Sequence, residues 1–262
     1  MRVAFVVAAL ALAGLAHATE DRFPRISEAY FVKRDGRVLW AGGAERRLPP
    51  ASLAKMMTAL IALERGELDA LATVSAAAAK ASGTRIGLAA GDKLRVRDLL
   101  AATVVRSAND ACRALAEHLG RSVGAFVDMM NARAAALKLA DTHFVDPCGH
   151  DRPGQFSTAA DLARLAEQLV EHPEYMRLAR IPEMSIRAQG GRKFSFRNTN
   201  ALIGRYAGAI GLKSGYTERA GNCLVALAEK EGVRVLVVLL NAPNRWWNAV
   251  GLLDRAFEEP VR

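Results

Sequence analysis

The order of patterns along this 262-residue chain predicts an α/β fold of the α+β kind, an antiparallel sheet flanked by helices with an additional α-helical lobe. Three observations carry that prediction. Two short strand patterns joined by a tight-turn signal come early in the chain, a long stretch of helical pattern follows them, and strand patterns then return in close succession before one last helix.

Residues 29–33 and 38–41 read as the first two strands, and the Asp35-Gly36 step between them supplies the left-handed backbone a short hairpin needs. After Pro49-Pro50 a helix is expected over about 52–65, closed by Gly66. Its apolar residues Leu53, Met56, Met57, Leu60, Ile61 and Leu63 cover nearly every face, which marks a helix buried within a domain. From 97 to about 140 the pattern is largely helical, broken near Arg106-Ser107 and Gly120. Residues 141–156 form a Gly/Pro/Asp-rich loop, after which Ser157-Thr158 caps a helix ending near His172-Pro173. Residues 184–187, 193–197, 210–216, 223–229 and 233–241 read as strands of a meander, and 244–259 as the terminal helix. In that helix Trp246 and Trp247 are expected to dock on the sheet in preference to stacking on a sugar.

A content of 51% hydrophobic and 24% charged residues is that of an ordinary globular chain and excludes a disordered or collagen-like one. Met1-Arg2, the uncharged apolar run 3–15 and Ala16-His17-Ala18 together read as a signal peptide over residues 1–18, so export is expected. Thr19 excludes a lipid anchor that would need Cys at that position. Cys112, Cys148 and Cys223 are an odd, widely spaced set; they allow at most one internal bridge and read mainly as small buried hydrophobes. The net charge of +9 is dispersed, with Arg46-Arg47 and Arg192-Lys193 its densest pairs. No nucleic-acid partner is therefore expected, only a diffuse attraction to anionic material.

Three short motifs occur once each and in order: Ser52-Leu53-Ala54-Lys55, Ser107-Ala108-Asn109 and Lys213-Ser214-Gly215. The first two are each expected about 0.3 times by chance in such a chain and the third roughly 0.02 times, so the ordered set is informative where its members are not. Ser52 and Lys55 share a helix face at i and i+3. A serine hydroxyl attacks only when a neighbour takes its proton, and a lysine amine can do so if burial and a second cation lower its pKa. The apolar helix supplies burial, and Lys213 is the candidate second cation. Ser107 is placed to relay a proton, and Asn109 to hold Lys55 and a substrate amide. Gly215 lets a substrate backbone approach closely, and the N–H groups of Ser52 and Tyr216 are the natural oxyanion hole. Lys213, Ser214 and Arg245 are candidates to bind a substrate carboxylate.

Beyond these motifs the chain resembles the low-molecular-mass penicillin-binding proteins, the serine-type D-Ala-D-Ala carboxypeptidases of peptidase family S11. The likeness lies in residues 50–58, 107–111, 143–147, 154–159, 198–200 and 211–217, with Ala220-Gly221 beyond, and extends over about 23–257. The resemblance implies a serine β-lactamase/transpeptidase-like fold in a single D,D-peptidase domain over residues 19–262. It also implies an acyl-enzyme on Ser52 with Lys55 as base, peptidoglycan stem peptides as substrate, penicillin inhibition, and a periplasmic or otherwise extracytoplasmic place. Ser214 stands where the family usually has Thr, and the hydroxyl survives. Only a few residues follow the last helix, so neither a C-terminal β-domain nor a membrane anchor is expected.

Other readings weigh less. A class A β-lactamase needs a loop glutamate, and none lies between His118 and Ala166. His143, Asp146, Cys148, His150 and Asp151 are metal-capable neighbours, but they lack a His-Glu-x-x-His spacing and belong to a segment that matches the family, so neither metal nor cofactor is expected. A D,D-endopeptidase, which the stretch 196–200 resembles, remains the nearest alternative. A penicillin-binding sensor that acylates without turnover is the non-enzymatic one.

Overall fold

The computed structural model describes residues 22–260, and the leader read at residues 1–18 lies outside them. Strands β1 (Ala29–Arg34) and β2 (Arg37–Gly42) form the expected hairpin, turned by Asp35 and Gly36 at positive φ. A 3-10 turn, Ala51–Ala54, leads directly into α1 (Lys55–Arg65), which Gly66 closes at φ 71°. Every residue of α1 from Lys55 to Ala62 is buried, as its all-round apolarity requires.

The lobe that follows holds β3 (Leu71–Thr73), α2 (Ala76–Ala79), β4 (Lys93–Arg95), α3 (Val96–Val105), α4 (Asn109–Gly120) and α5 (Val123–Ala136). The helical breaks fall where the sequence puts them, at Ser107 and after Gly120. The ribbon β3–β4 escapes a reading by pattern because three residues per strand are too few for a period to show. Thr158 caps α6 (Ala159–Val170), accepting the Asp161 N–H at 3.0 Å. Pro173, expected to end this helix, opens a further one, α7 (Pro173–Ala179), because its fixed φ and missing N–H suit a first turn.

Strands β5 (Glu183–Arg187) and β6 (Lys193–Arg197) depart from the expected meander and pair only with each other. Their alternating burial, with Ile186, Phe194 and Phe196 inward, is that of a one-sided ribbon. β7 (Ala209–Thr217), β8 (Gly221–Lys230) and β9 (Val233–Leu240) complete the main sheet, whose order is β2-β1-β9-β8-β7 with every neighbouring pair antiparallel. α8 (Arg245–Glu258) covers one face, packing Ala249, Leu252, Leu253 and Ala256 on Val235, Val237 and Leu239. The opposite face, with Val225, Val238 and Leu240, shares a core with α1, α3 and α6. Of the two adjacent tryptophans Trp246 docks as expected, while Trp247 stands exposed. The sheet is thus buried on both faces, and β7 at its end lies against the turn that carries Ser52.

Cys112 and Cys148, 36 residues apart, are joined in a disulfide with Cα atoms 5.9 Å apart, while Cys223 is free and buried. All three are buried, and the one bridge that three cysteines allow leaves Cys223 as the thiol.

Candidate active site

Ser52 lies in the 3-10 turn, not in the α-helix proper. In that tighter winding residues i and i+3 eclipse, so the Lys55 amine sits directly over the serine hydroxyl and Nζ donates to Oγ at 3.0 Å. Lys55 is 1% exposed, and its second hydrogen bond goes to the backbone oxygen of Cys148. Burial lowers its pKa to about 7, against the opposing charge of Asp146. At neutral pH this amine is therefore available as a base, the condition an unactivated serine needs.

The other two motifs meet from opposite sides. Lys213, 2% exposed on β7, donates to Ser107 Oγ and to the Ser214 backbone oxygen, each at 2.8 Å. Burial, then the charges of Lys55 and Arg245, hold its pKa well below the ordinary lysine value. Burial is thus what lowers Lys55, and the charge of Lys55 acts on Lys213 instead of the reverse, so the second-cation role that the sequence suggests for Lys213 is not what brings Lys55 down. Ser107 adopts φ +59°, a left-handed conformation worth roughly 1–3 kcal/mol of strain in a non-glycine residue, at the break between α3 and α4. Ser214 Oγ lies 3.2 Å from Thr199 Oγ1.

Two glycines fit the backbone around Ser52. A Cβ on Gly215 would stand 2.9 Å from the Ser52 nitrogen, so β7 packs hard against the turn that carries Ser52. Tyr216, the next residue, is 61% exposed at the rim. Gly149, at φ +85°, allows no side chain at all, since its Cβ would meet the Ala51 oxygen at 2.0 Å. Gly149→Ala should therefore destabilise the fold by about 1–3 kcal/mol, as urea melts would show. Unchanged values would mean that the loop does not brace the turn.

Arg245, at the start of α8, gives Nη1 to the Gly215 backbone oxygen at 2.5 Å, and its Nε is buried without a partner. It therefore lies on β7 next to the third motif. Asn109 departs from expectation. Its Nδ2 donates to the Ser82 oxygen at 2.6 Å and meets His150 Nε2 at 3.2 Å, so the group that holds Lys55 is instead the Cys148 carbonyl. Next to it the buried Asp110 carboxylate accepts the N–H groups of Ile86, Gly87 and Leu88, which fixes the loop that presents Ser82.

The metal-capable residues are engaged separately. Cys148 sulfur is in the disulfide, His143 Nδ1 meets the Gly154 oxygen at 2.9 Å, Asp146 holds His150, and Asp151 accepts from Thr217 Oγ1 at 2.7 Å. Sequence reasoning misses the Cys148 carbonyl, Gly149 and Thr199. The first two act through backbone atoms, which leave no residue-type signature, and Thr199 could be found only through the 198–200 stretch of the resemblance.

Comparison with known proteins agrees with this geometry. The family model of D-alanyl-D-alanine carboxypeptidase, peptidase S11, matches residues 27–244. D-alanyl-D-alanine carboxypeptidase DacF of Bacillus subtilis is 35% identical over 251 residues, covering 92% of this chain and 64% of the relative. The DacD enzyme of Escherichia coli is 35% identical over 235 residues, 84% of this chain and 59% of its own, so this chain spans about three fifths of these relatives' length. The crystal structure of the Streptomyces K15 DD-transpeptidase superposes with a TM-score of 0.84 at 28% identity, covering 89% of this chain and 98% of that one. The D-alanyl-D-alanine carboxypeptidase of Mycobacterium tuberculosis H37Rv does so at 0.85 and 29%, covering 90% and 92%. With its three motifs converging on Ser52 in the fold of these relatives, the chain belongs to the D-alanyl-D-alanine carboxypeptidase family, peptidase S11.

Proposed function

We propose that this chain is a serine D,D-carboxypeptidase that removes the terminal D-Ala from peptidoglycan stem pentapeptides through an acyl-enzyme on Ser52, and that penicillins inhibit it. The observation that carries the reading is the 3.0 Å contact between Ser52 Oγ and a Lys55 amine whose pKa is brought to about 7. Ser52 Oγ attacks the carbonyl of the penultimate D-Ala while Lys55 takes its proton. The N–H groups of Ser52 and Tyr216 hold the oxyanion. Ser107, bonded to Lys213, relays that proton from Lys55 to the leaving amine as the peptide bond breaks, which leaves Lys55 neutral again. Water then attacks the ester and gives its proton to Lys55, which returns it to Ser52 Oγ as the acid leaves. Lys213, Ser214 and Arg245 form the basic and hydroxylic side of the site that suits the substrate carboxylate, and Asn109 borders the acyl group. Residues 1–18 act as the signal peptide of an extracytoplasmic, periplasmic enzyme. No helix among the described residues is long and apolar enough to cross a membrane.

A second reading rests on one relative. The D-alanyl-D-alanine endopeptidase of Pseudomonas aeruginosa is 32% identical over 211 residues, 79% of this chain and 68% of its own. Both reactions present a D-Ala carbonyl to Ser52. Mass spectrometry after incubation with a pentapeptide monomer and with a D,D-cross-linked muropeptide dimer separates them. Loss of one alanine from the monomer with the dimer intact is expected. Splitting of the dimer with the pentapeptide spared would replace the carboxypeptidase reading by the endopeptidase one. Stable penicillin labelling with neither product would make the chain a sensor.

A further inference from the structure

The loop between α5 and α6 carries an Asp–His pair to which the mechanism above assigns no work. Asp146 Oδ1 accepts the backbone N–H groups of Cys148 at 2.8 Å and His150 at 3.2 Å, and the carboxylate meets His150 Nδ1 at 3.1 Å. Gln155 braces the same stretch, since its Oε1 accepts from Val145 and Asp146 N–H and its Nε2 donates to the His150 oxygen. The disulfide ties this loop to α4 at Cys112, three residues beyond Asn109. Every part that holds the imidazole is itself held.

The other side of the ring faces the second motif. His150 Nε2 lies 3.2 Å from Asn109 Nδ2. An ionised carboxylate at Nδ1 fixes the proton of a neutral ring on that nitrogen, which leaves Nε2 as a bare acceptor. Burial pushes the Asp146 carboxyl up, but the hydrogen bonds it accepts from His150 and from the Cys148 N–H oppose this and keep it below the ordinary carboxylate value. Both N–H bonds of the Asn109 amide then have acceptors, one in the Ser82 oxygen and one in the ring. Its Oδ1 is left buried with no protein partner. An orphaned buried acceptor costs roughly 1–3 kcal/mol, so an arrangement that maintains one at the acylation site has to be enforced.

We propose that Asp146 and His150 are positioning residues for the reaction: Asp146 fixes the His150 tautomer, and His150 Nε2 locks the Asn109 amide so that Oδ1 stays directed to the reacting complex. The pair acts through Asn109, not on the substrate. The inference rests on the reading of Ser52 as the acylated nucleophile.

The test is a double-mutant cycle on the rate of penicillin acylation and on kcat and KM for a D-Ala-D-Ala pentapeptide. His150→Leu removes the acceptor and should slow acylation and kcat about 3- to 10-fold, the size of one hydrogen bond, with little change in KM. His150→Gln, whose amide oxygen can accept at the same place, should restore most of the rate. In an Asn109→Ala background His150→Leu should have no further effect. Exchange of the Asn109 side-chain N–H protons, followed by NMR in the full chain, should quicken about tenfold in His150→Leu, a readout that needs no catalysis. Additive effects of the two substitutions, failure of Gln to rescue, or unchanged Asn109 exchange would overturn the proposal. A parent chain that penicillin does not acylate would overturn the function instead, and the exchange measurement would still decide the positioning.

Discussion

Replacing Ser52 by alanine is expected to abolish both turnover and covalent labelling by penicillin. Intact-protein mass spectrometry should show the parent gaining one penicillin and Ser52→Ala gaining none. The structure makes this a sharp test, because it contains a second serine against a lysine, Ser107 at 2.8 Å from Lys213. Ser107 Oγ accepts a hydrogen bond from that lysine just as Ser52 Oγ does from Lys55, so the two serines differ in what surrounds them. Ser52 sits beside Gly215 and the exposed Tyr216, where a carbonyl carbon can approach and where two backbone N–H groups suit the oxyanion. Labelling that survived in Ser52→Ala would assign the nucleophile to another residue, Ser107 first among them, and reverse the proposed roles of the two lysines.

Lys55→Met should lower the acylation rate by about 10²–10⁴-fold, the range for loss of a general base, and yet stabilise the folded chain. The sign follows from linkage. The amine has a pKa of about 7 when folded and buried, against the ordinary lysine value of 10.5. Above 10.5 neither state holds the proton and the amine costs nothing on this account. Between 10.5 and 7 the unfolded chain binds a proton that the folded chain does not, so stability falls as the pH falls. Below about 7 the full penalty applies, on the order of 4–5 kcal/mol. Methionine keeps the volume but leaves the Cys148 oxygen without its donor, which returns part of the gain. Urea melts at pH 6 should find the variant about 2 kcal/mol or more above the parent, with the difference shrinking or reversing by pH 10. A variant less stable than the parent at pH 6 would show that the amine is solvated, and the basis for Lys55 as a neutral base would go with it.

What the sequence shows of this protein depends on whether a feature is carried by side chains along one segment or by backbone brought together from several. Ser52 and Lys55 are legible because their spacing places them together in any tight helical turn, and Lys213 because it belongs to the third motif. The breaks at Ser107 and Gly120 are legible as local chemistry. Not legible is the identity of the group across from Lys55. Cys148 presents itself in sequence as a sulfur, and its importance lies in a carbonyl oxygen whose position is set by a disulfide to α4 and by the lack of a side chain at Gly149. Three cysteines permit three single pairings, and only the fold chooses. The separation of β5–β6 from the main sheet could have been read, since their strict alternation differs from the continuous apolar run Val235–Leu240. Reading them as a meander ignored that contrast. The contact expected between Asn109 and Lys55 is absent for a plainer reason. Lys55 had a nearer acceptor, and the amide was already engaged by Ser82 and His150.

β7 ends the sheet, and an unpaired edge of this kind is also where proteins stick to one another. Here the strand is buried continuously from Ile210 to Gly215, glycines included, and only at Tyr216 does it emerge. The turn that carries Ser52 packs against this strand, with a Cβ on Gly215 placed 2.9 Å from the Ser52 nitrogen. A flat edge on a second folded molecule is hindered from pairing with a strand covered in this way, whereas a single extended peptide brings no sheet behind it. The packing that sets Ser52 beside β7 thereby also works against self-association through that edge.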